Sequence, residues 1–402
     1  MIPVIVAILT MQSAIAAAVP RDPVVLAAAA SVRVARADAL SARAGAAPVI
    51  FESYAAAPQA GSPGTLTQRT VIVGISKSFA FPALTLSLAA AARSAAAAAE
   101  AALVQARYDA AMHTIDVYLS ALVAREQAHI AADAVTTAKQ TLDAARLREK
   151  AGAGPKIDVD RALAAFASAQ AAQAAVQGRR DAAFAALDLA VGIEPSARPH
   201  ITEPVAPAAP KTDAPAALAA ALRARPDLRA AEELVRAARA GVSAAYASYA
   251  PSLDLSAGRQ RGLDAGSPIS GGTVSLTLNL PLDTSGAIRA KVERARGALS
   301  FTQAQRESLA RAVALQVETA VAQLRAAKAG VTASARAERA ALAASNAAAL
   351  GYSNGAVSAV DAIIAQSQYA AARGALAAAR AGAVRAFYAL RMAEGVEPYA
   401  VR

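Results

Sequence analysis

"TVSLTLNLPL", residues 273–282, carries the plainest pattern in the chain. Val274, Leu276, Leu278, Leu280 and Leu282 fall on one side of an extended strand, and Thr273, Ser275, Thr277 and Asn279 fall on the other. Alternation with a period of two over about ten residues describes a β-strand with one apolar and one hydroxyl-lined face. A second copy stands 203 residues upstream (273 − 70): in and just after "TVIVGISKSF", residues 70–79, Val71, Val73, Ile75, Phe79 and Phe81 repeat the apolar side, and Thr70, Gly74, Ser76 and Ser78 stand opposite, with Lys77 interrupting. Alone, such a strand fits a half-buried hairpin of a soluble domain. Two features point to a membrane instead. The length matches the roughly nine to eleven residues of a tilted membrane-spanning strand, and the flanking helices offer few large side chains to cover the apolar side.

The spacing recurs outside the strands. Pro48 and Pro251 differ by 203, as do Gly-Ile-Glu-Pro at 192–195 and Gly-Val-Glu-Pro at 395–398; Ala60-Gly61-Ser62-Pro63 returns as Ala265-Gly266-Ser267-Pro268 after 205, and Gly154…Asp160 as Gly355…Asp361 after 201. The chain reads as a tandem duplication. We divide it into a leader over 1–18, a first repeat over 19–192, a Pro-rich connector over 193–215, a second repeat over 216–398 and a tail over 399–402.

Each repeat has the same succession: a helix, two strands, a long helix, a turn and a shorter returning helix. In the second, residues 215–248 read as a helix broken near Pro226. "PSLDLSAG" then alternates Leu253, Leu255 and Ala257 with Asp254, Ser256 and Gly258, and "GRQRGLDAGSPISGG" reads as a loop before the next strand. The counterpart strand "PVIFESYAA" alternates poorly. The long helices span 86–150 and 286–351 without an internal Pro; at about 1.5 Å per residue each would reach on the order of 100 Å. Seven-residue spacings (Val317, Leu324, Val331; Ile115, Leu122, His129; Val135, Leu142) mark a coiled-coil seam between closely approaching Ala-rich backbones. The chain turns at Gly154-Pro155 and at Asn354-Gly355, residue types that suit the left-handed backbone after a helix end, and returns over 156–191 and 357–394. In the connector, Pro195, Pro199, Pro204, Pro207, Pro210 and Pro215 favour an extended chain.

Composition excludes several chemistries. With no Cys there is no disulfide framework, thiolate metal site or cysteine nucleophile, and the three His (His113, His129, His200) are scattered, so neither a metal nor another cofactor is expected. No convergent acid/base pair or triad is spaced for catalysis; Asp254 and Asp264 stand apart, and no enzyme is expected. The net charge of +11 would admit a nucleic-acid partner, but the Arg residues are spread singly through Ala-rich helices without aromatic interleaving, which describes solvated faces. At the N-terminus, apolar residues 2–9 followed by Ala14-Ile15-Ala16-Ala17-Ala18 read as a cleaved secretory signal, although no Lys or Arg precedes Arg21. The alternative is a buried apolar segment. No ordinary transmembrane helix and no cysteine-linked lipid anchor are expected.

The order of elements resembles the TolC family of outer-membrane efflux proteins. Carrying the likeness are "RPDLRAAEELVRAARAGVSAAYASYAPSLDLSAG" (225–258), "VSLTLNLPLDTSGAIRAKVERARGAL" (274–299) and "YSNGAVSAVDAIIAQSQYAAARGALAAARA" (352–381), with weaker counterparts in the first half. The resemblance implies a mainly α chain with a membrane β-barrel portion. It implies a homotrimer whose chains each give four strands to one twelve-stranded β-barrel in the cell outer membrane, and their helices to a periplasmic α-helical tunnel. Val71, Val73, Ile75, Val274, Leu276, Leu278 and Leu280 would then face outer-membrane lipid. The function it implies is a passive exit duct for efflux or secretion, coupled to an inner-membrane pump through a periplasmic adaptor protein, with no nucleic acid involved. It also implies that the turns form a constricted tip, with an Asp six residues after the turn Gly facing the pore and a tyrosine holding the tip closed. Asp160, Asp361 and Tyr352 match those positions. Ile364 and Val357 depart from the pattern, where a second acid and a basic partner are expected, which implies a thinner closing network. The Asp residues also fit the plainer reading of acids favoured at a helix N-terminus. Rival functions are a soluble periplasmic coiled-coil scaffold and a basic nucleic-acid-binding helical protein.

Overall fold

The computed structural model describes residues 8–45, 47–58, 67–194, 199–204, 213–264 and 267–397. The elements run β1 (Ile8–Leu9), α1 (Met11–Ala18), α2 (Pro23–Ala44), β2 (Val49–Pro58), β3 (Thr67–Ala80), α3 (Pro82–Lys150), α4 (Lys156–Val191), β4 (His200–Ile201), α5 (Ala214–Ala224), α6 (Pro226–Ala247), β5 (Ser252–Asp264), β6 (Ser267–Asn279), α7 (Ala287–Ser353) and α8 (Ala359–Ala393). One shift of 203 superposes them. It carries the start of α1 onto α5 (214 − 11), both ends of α2 onto α6 (226 − 23, 247 − 44), the start of β2 onto β5 (252 − 49), the end of α3 onto α7 (353 − 150) and the start of α4 onto α8 (359 − 156). Residues 1–7 of the expected leader, the motif at 60–63, Ala265 and Gly266 of its counterpart, Pro195, Pro207, Pro210, Pro398 and the tail lie outside the described residues.

Residues 8–18 are packed into the helical part of the structure. Helix α1 is the counterpart of α5, and its Met11, Ala14, Ile15 and Ala18 are buried. Thr10 caps it: the Thr10 Oγ1 accepts from the Ser13 N–H at 3.2 Å, and the Ser13 Oγ accepts from the Thr10 N–H at 3.0 Å. Strand β1 pairs in parallel with β4, Ile8 with His200 and Leu9 with Ile201. Tyr118 of α3, fully buried, holds the pair. Its hydroxyl lies 2.6 Å from the Thr202 carbonyl and 2.9 Å from that of Leu9, and accepts the Thr202 N–H at 3.0 Å. In the folded chain these residues thus form an apolar segment with buried contacts.

The chain divides into two compact units. One comprises the described residues of 28–103 and 226–310 and holds the sheet, ordered β2-β3-β5-β6 and antiparallel throughout. Register places Ile50, Ile75, Ala257 and Val274 in one row and Phe51, Gly74, Gly258 and Thr273 in the next, on opposite faces. Val73, Ile75, Phe79, Leu255, Val274, Leu276 and Leu278 are exposed on one face, with Val71 half-buried among them; Thr70, Ser76, Ser256, Gln260 and Thr273 occupy the other. Two expectations change here. The stretch 258–272, read as a loop, is paired strand almost throughout: β5 and β6 run to Asp264 and Ser267. Glycine, serine and arginine mask a strand whose polar face needs no apolar partner. Leu280 lies beyond the end of β6 at Asn279, so it is exposed but is not a strand residue.

Close approach within the sheet depends on glycine at the junction of the two repeats. A Cβ on Gly262 would fall 2.0 Å from the Arg69 carbonyl oxygen and 2.9 Å from the Thr70 Cα, backbone atoms that cannot swing aside. Replacing Gly262 by Val is therefore expected to pry β3 from β5, at an overpacking cost of about 1–3 kcal/mol or more. The unfolding temperature should fall sharply, whereas Gly271→Val, at a position with open space, should leave it unchanged.

The other unit comprises the described residues of 8–27, 104–225 and 311–397. Its seam on α7 is Val313, Val317, Ala320 and Leu324, all buried at alternating spacings of four and three, so Val317 and Leu324 sit as the heptad reading requires. On α3, Ile115 and Leu142 are buried, but His129 is exposed and does not continue the seam. Helix α8 runs antiparallel along α3 with polar rungs between them. Arg385 grips both oxygens of Asp116 (2.6 and 3.1 Å), Arg373 reaches Asp133 (2.6 Å) and Glu126 (3.4 Å), and the Gln366 amide donates to the Thr141 Oγ1 (3.2 Å). Such half-exposed pairs add little stability and fix the register of the two helices. Helix α3 holds one stretch long and apolar enough by composition alone to cross a membrane; alanine, and not large apolar side chains, supplies the apolarity.

At the end of α8, Glu394 is buried and its Oε1 meets no hydrogen-bond partner among the described residues. Burial raises its pKa, with the Arg391 charge opposing. The folded protein therefore binds this proton more tightly than the unfolded chain. Stability should fall as pH rises from the ordinary carboxylate value through the raised one, and stay level above it. Glu394→Gln is expected to raise Tm at pH 7 and to converge with the parent protein below about pH 4, a comparison thermal unfolding at the two pH values makes directly.

Candidate functional site

The two helical turns share one backbone plan. After α3, the Ala151, Gly152 and Ala153 N–H groups donate to the carbonyls of Leu147, Glu149 and Arg148; after α7, Asn354, Gly355 and Ala356 donate to Leu350, Tyr352 and Gly351. Each donor in the second set lies 203 residues after its counterpart (354 − 151, 355 − 152, 356 − 153). Gly152 and Gly355 take positive φ, 72° and 78°, the left-handed conformation that closes a helix and that only glycine adopts without strain.

This register corrects the pairing read from the sequence. Gly355 corresponds to Gly152, since Gly154 does not have positive φ. The acid six residues on is Asp158 (361 − 158 is 203), which occupies the first turn of α4 as Asp361 occupies that of α8. Asp160 lies two residues further along, exposed. Pro155 and Ser358 are the equivalent N-caps. Two glycines within "AGAGP" gave the sequence two possible registers, and only the offset shared by the other elements separates them.

Around the turns, side chains from both repeats converge. Tyr352 is buried against Ala359, Ala362, Ala144 and Ala348. Arg148, from the last turn of α3, stacks its guanidinium 5.1 Å from the Tyr352 ring centroid and donates to the Tyr352 carbonyl at 2.6 Å. It also reaches the Ala153 carbonyl of its own turn at 3.5 Å. A Cβ on Gly355 would lie 3.3 Å from the Arg148 Nη2 and one on Gly154 3.2 Å from the Arg148 Cβ, so both turns are fitted around this one side chain. Burial raises the pKa of the Tyr352 phenol, the Asp158 charge adds to the rise and Arg148 opposes it. The phenol stays neutral at physiological pH.

Asp361 is engaged locally: its Oδ2 accepts from the Ser358 Oγ at 2.7 Å, and its N–H donates to the same oxygen at 3.1 Å. Asp158 stands 3.9 Å from Arg161. Val357, where a cation was expected, packs on Gly351; a Cβ there would lie 2.4 Å from the Val357 Cγ2. The basic partner missed in the sequence is Arg148, which the duplication places in the opposite repeat. Its one sequence signal is a cation in the last helical turn, four residues before the turn glycine. Among the described residues no group of His, Asp or Glu is disposed to hold a metal. The arrangement is a packed contact between the two turns, with Asp361 exposed and Asp158 half-buried beside it.

A profile of the outer membrane efflux protein family matches residues 14–193 and again 217–396. The two matches stand 203 residues apart at both ends (217 − 14, 396 − 193). Over 237 residues the chain is 32% identical to protein CyaE of Bordetella pertussis, a match covering 57% of this chain and 50% of CyaE. It is 28% identical over 248 residues to outer membrane protein OprJ of Pseudomonas aeruginosa, covering 58% of this chain and 46% of OprJ. The matched regions thus span about half the length of each curated relative. Among solved structures, the outer-membrane channel OprN superposes with a TM-score of 0.83 over 97% of this chain and 90% of OprN, at 22% sequence identity.

Proposed function

We propose that this chain, which belongs to the outer membrane efflux protein family, acts as one protomer of a trimeric exit duct: a shared barrel in the outer membrane continuing into a periplasmic helical tunnel. Members of this family are channels of the outer membrane and not enzymes. The observation that carries the proposal is the open sheet. Its outward face is apolar, and its edges, β2 of ten residues and β6 of thirteen, have no partner strand among the described residues. Unpaired backbone groups cannot stand in hydrocarbon, so in a membrane each β6 must pair with β2 of another copy. Three copies of four strands give a twelve-stranded barrel.

Within this reading Val71, Val73, Ile75, Val274, Leu276 and Leu278 contact lipid. The turns form the periplasmic end, closed by the Arg148–Tyr352 clasp, with Asp158 and Asp361 on its rim facing the passage. An inner-membrane pump supplies the energy, a periplasmic adaptor docks on the helices, and opening separates the two turns. The lack of any native Cys makes strand pairing directly testable. Ser53→Cys on β2 combined in turn with Thr273→Cys, Ser275→Cys and Thr277→Cys on β6 should give, for one combination, a disulfide ladder ending at the trimer. A ladder that runs beyond three, or no ladder at all, contradicts the shared barrel.

A further inference from the structure

Above the apolar rows, the outward face of the sheet changes character. Register gives the rows in order from the end nearest the helices: Phe79, Leu253 and Leu278; Lys77, Leu255 and Leu276; Ile50, Ile75, Ala257 and Val274; Glu52, Val73, Arg259 and Gly272; Tyr54, Val71, Arg261 and Ser270; then Ala56, Arg69, Leu263 and Pro268, with the Pro58–Thr67 pair beyond. Three guanidinium groups therefore gather in three successive rows toward the far end of the sheet. Arg259 and Arg261 are two residues apart on β5, and Arg69 is the diagonal neighbour of Arg261 on β3, a separation of roughly 7–8 Å. All three are exposed, and among the described residues none meets a carboxylate within ion-pair distance. On β6 they are flanked by Gly272 and Ser270, which leave the space beside Arg259 and Arg261 unfilled; a Cβ on Gly272 would meet nothing.

Height decides what such a cluster would meet. Two residues of strand rise about 6.6 Å, or roughly 5 Å along the normal at a tilt of about 35–45°. From the row of Leu278 the Arg259 row is about 15 Å up and the Arg69 row about 25 Å; with about 10 Å added below by Leu280 and Leu282, an apolar band of about 25 Å ends near the Arg259 row. Exposed Leu280 and Leu282 continue the band below. The arginines thus stand where hydrocarbon gives way to headgroups, on the side remote from the helices. Guanidinium is weakly hydrated and matches phosphate through paired N–H donors.

We infer that Arg69, Arg259 and Arg261 form a phosphate-binding site for anionic lipid headgroups of the leaflet remote from the helices. The inference rests on the barrel reading above and adds a ligand to it. It is tested by native mass spectrometry of the full-length protein in detergent, titrated with phosphatidylglycerol and, separately, with phosphatidylcholine. The parent protein should retain the anionic lipid about tenfold better, and the variant carrying Arg69→Gln, Arg259→Gln and Arg261→Gln should lose that preference. Lys77→Gln, lower in the band, should keep it, and millimolar inorganic phosphate should not displace the lipid. Equal retention by the triple variant, equal loss in Lys77→Gln, or displacement by free phosphate would overturn the site. The barrel reading fails separately: a chain that does not insert into phosphatidylcholine vesicles has no membrane strands, whereas insertion without an arginine-dependent preference sinks only the lipid site.

Discussion

A chain lacking residues 8–18 should fail to build its helical unit. The deletion removes β1, the partner of β4, and takes Leu9, Met11 and Ile15 out of the core. At about 1.5–3 kcal/mol for each of the three large apolar side chains, the loss is about 4.5–9 kcal/mol, comparable with the roughly 5–15 kcal/mol that holds a whole domain together. It also leaves the Tyr118 hydroxyl without the Leu9 carbonyl. Point substitutions separate this from a mere loss of length: Ile15→Asp should abolish cooperative thermal unfolding, while Ala16→Asp on the exposed side of the same helix should shift Tm by a few degrees at most. Protein recovered from membranes should still contain the peptide Met11–Ala18. A mature chain beginning after Ala18, together with an unchanged Tm for the deletion, would restore the leader reading.

The second large effect is expected at the clasp. Arg148→Ala removes a charged hydrogen bond to the Tyr352 carbonyl and the stack on its ring, together about 2 kcal/mol. If closed and open tips differ in this contact, their ratio moves by about thirtyfold. Single-channel recordings in planar bilayers should then show long-lived high-conductance states that the parent protein visits rarely. Arg148→Lys, which keeps the charge and loses the planar fork, should fall between. Tyr352→Phe should stay near the parent, because the ring and the backbone carbonyl, and not the phenol, meet Arg148. Unaltered conductance in Arg148→Ala would remove the clasp from the gate.

These two predictions mark where sequence reasoning stopped short. Period-two alternation at 273–279 and the Pro-free stretches around 86–150 and 286–351 led directly to strands and long helices, because each pattern has one physical reading. Residues 14–18 have two. A run of small residues serves a signal peptidase and also lets helices pack closely, and α1 uses it for packing, as its counterpart α5 does with "AALAAAL". The comparison between Met11–Ala18 and Ala214–Ala224 was available in the 203-residue offset. Arg148 was less accessible, since its partner lies 204 residues away (352 − 148) and no local spacing connects them. The polar ends of β5 and β6 escaped notice because strands of glycine, serine and arginine have no hydrophobic period to detect.

The central claim is that three copies of this chain share one barrel and one tunnel. Electron microscopy of the full-length protein extracted from outer membranes in detergent tests it most directly. The account predicts a hollow three-fold particle, with a detergent belt around the strand end and a long narrow tunnel closing at the tips that hold Arg148 and Tyr352. Particles with no belt, or protein that leaves the cell envelope without detergent, would contradict it and reduce the sheet to a hairpin pair on a soluble coiled-coil scaffold.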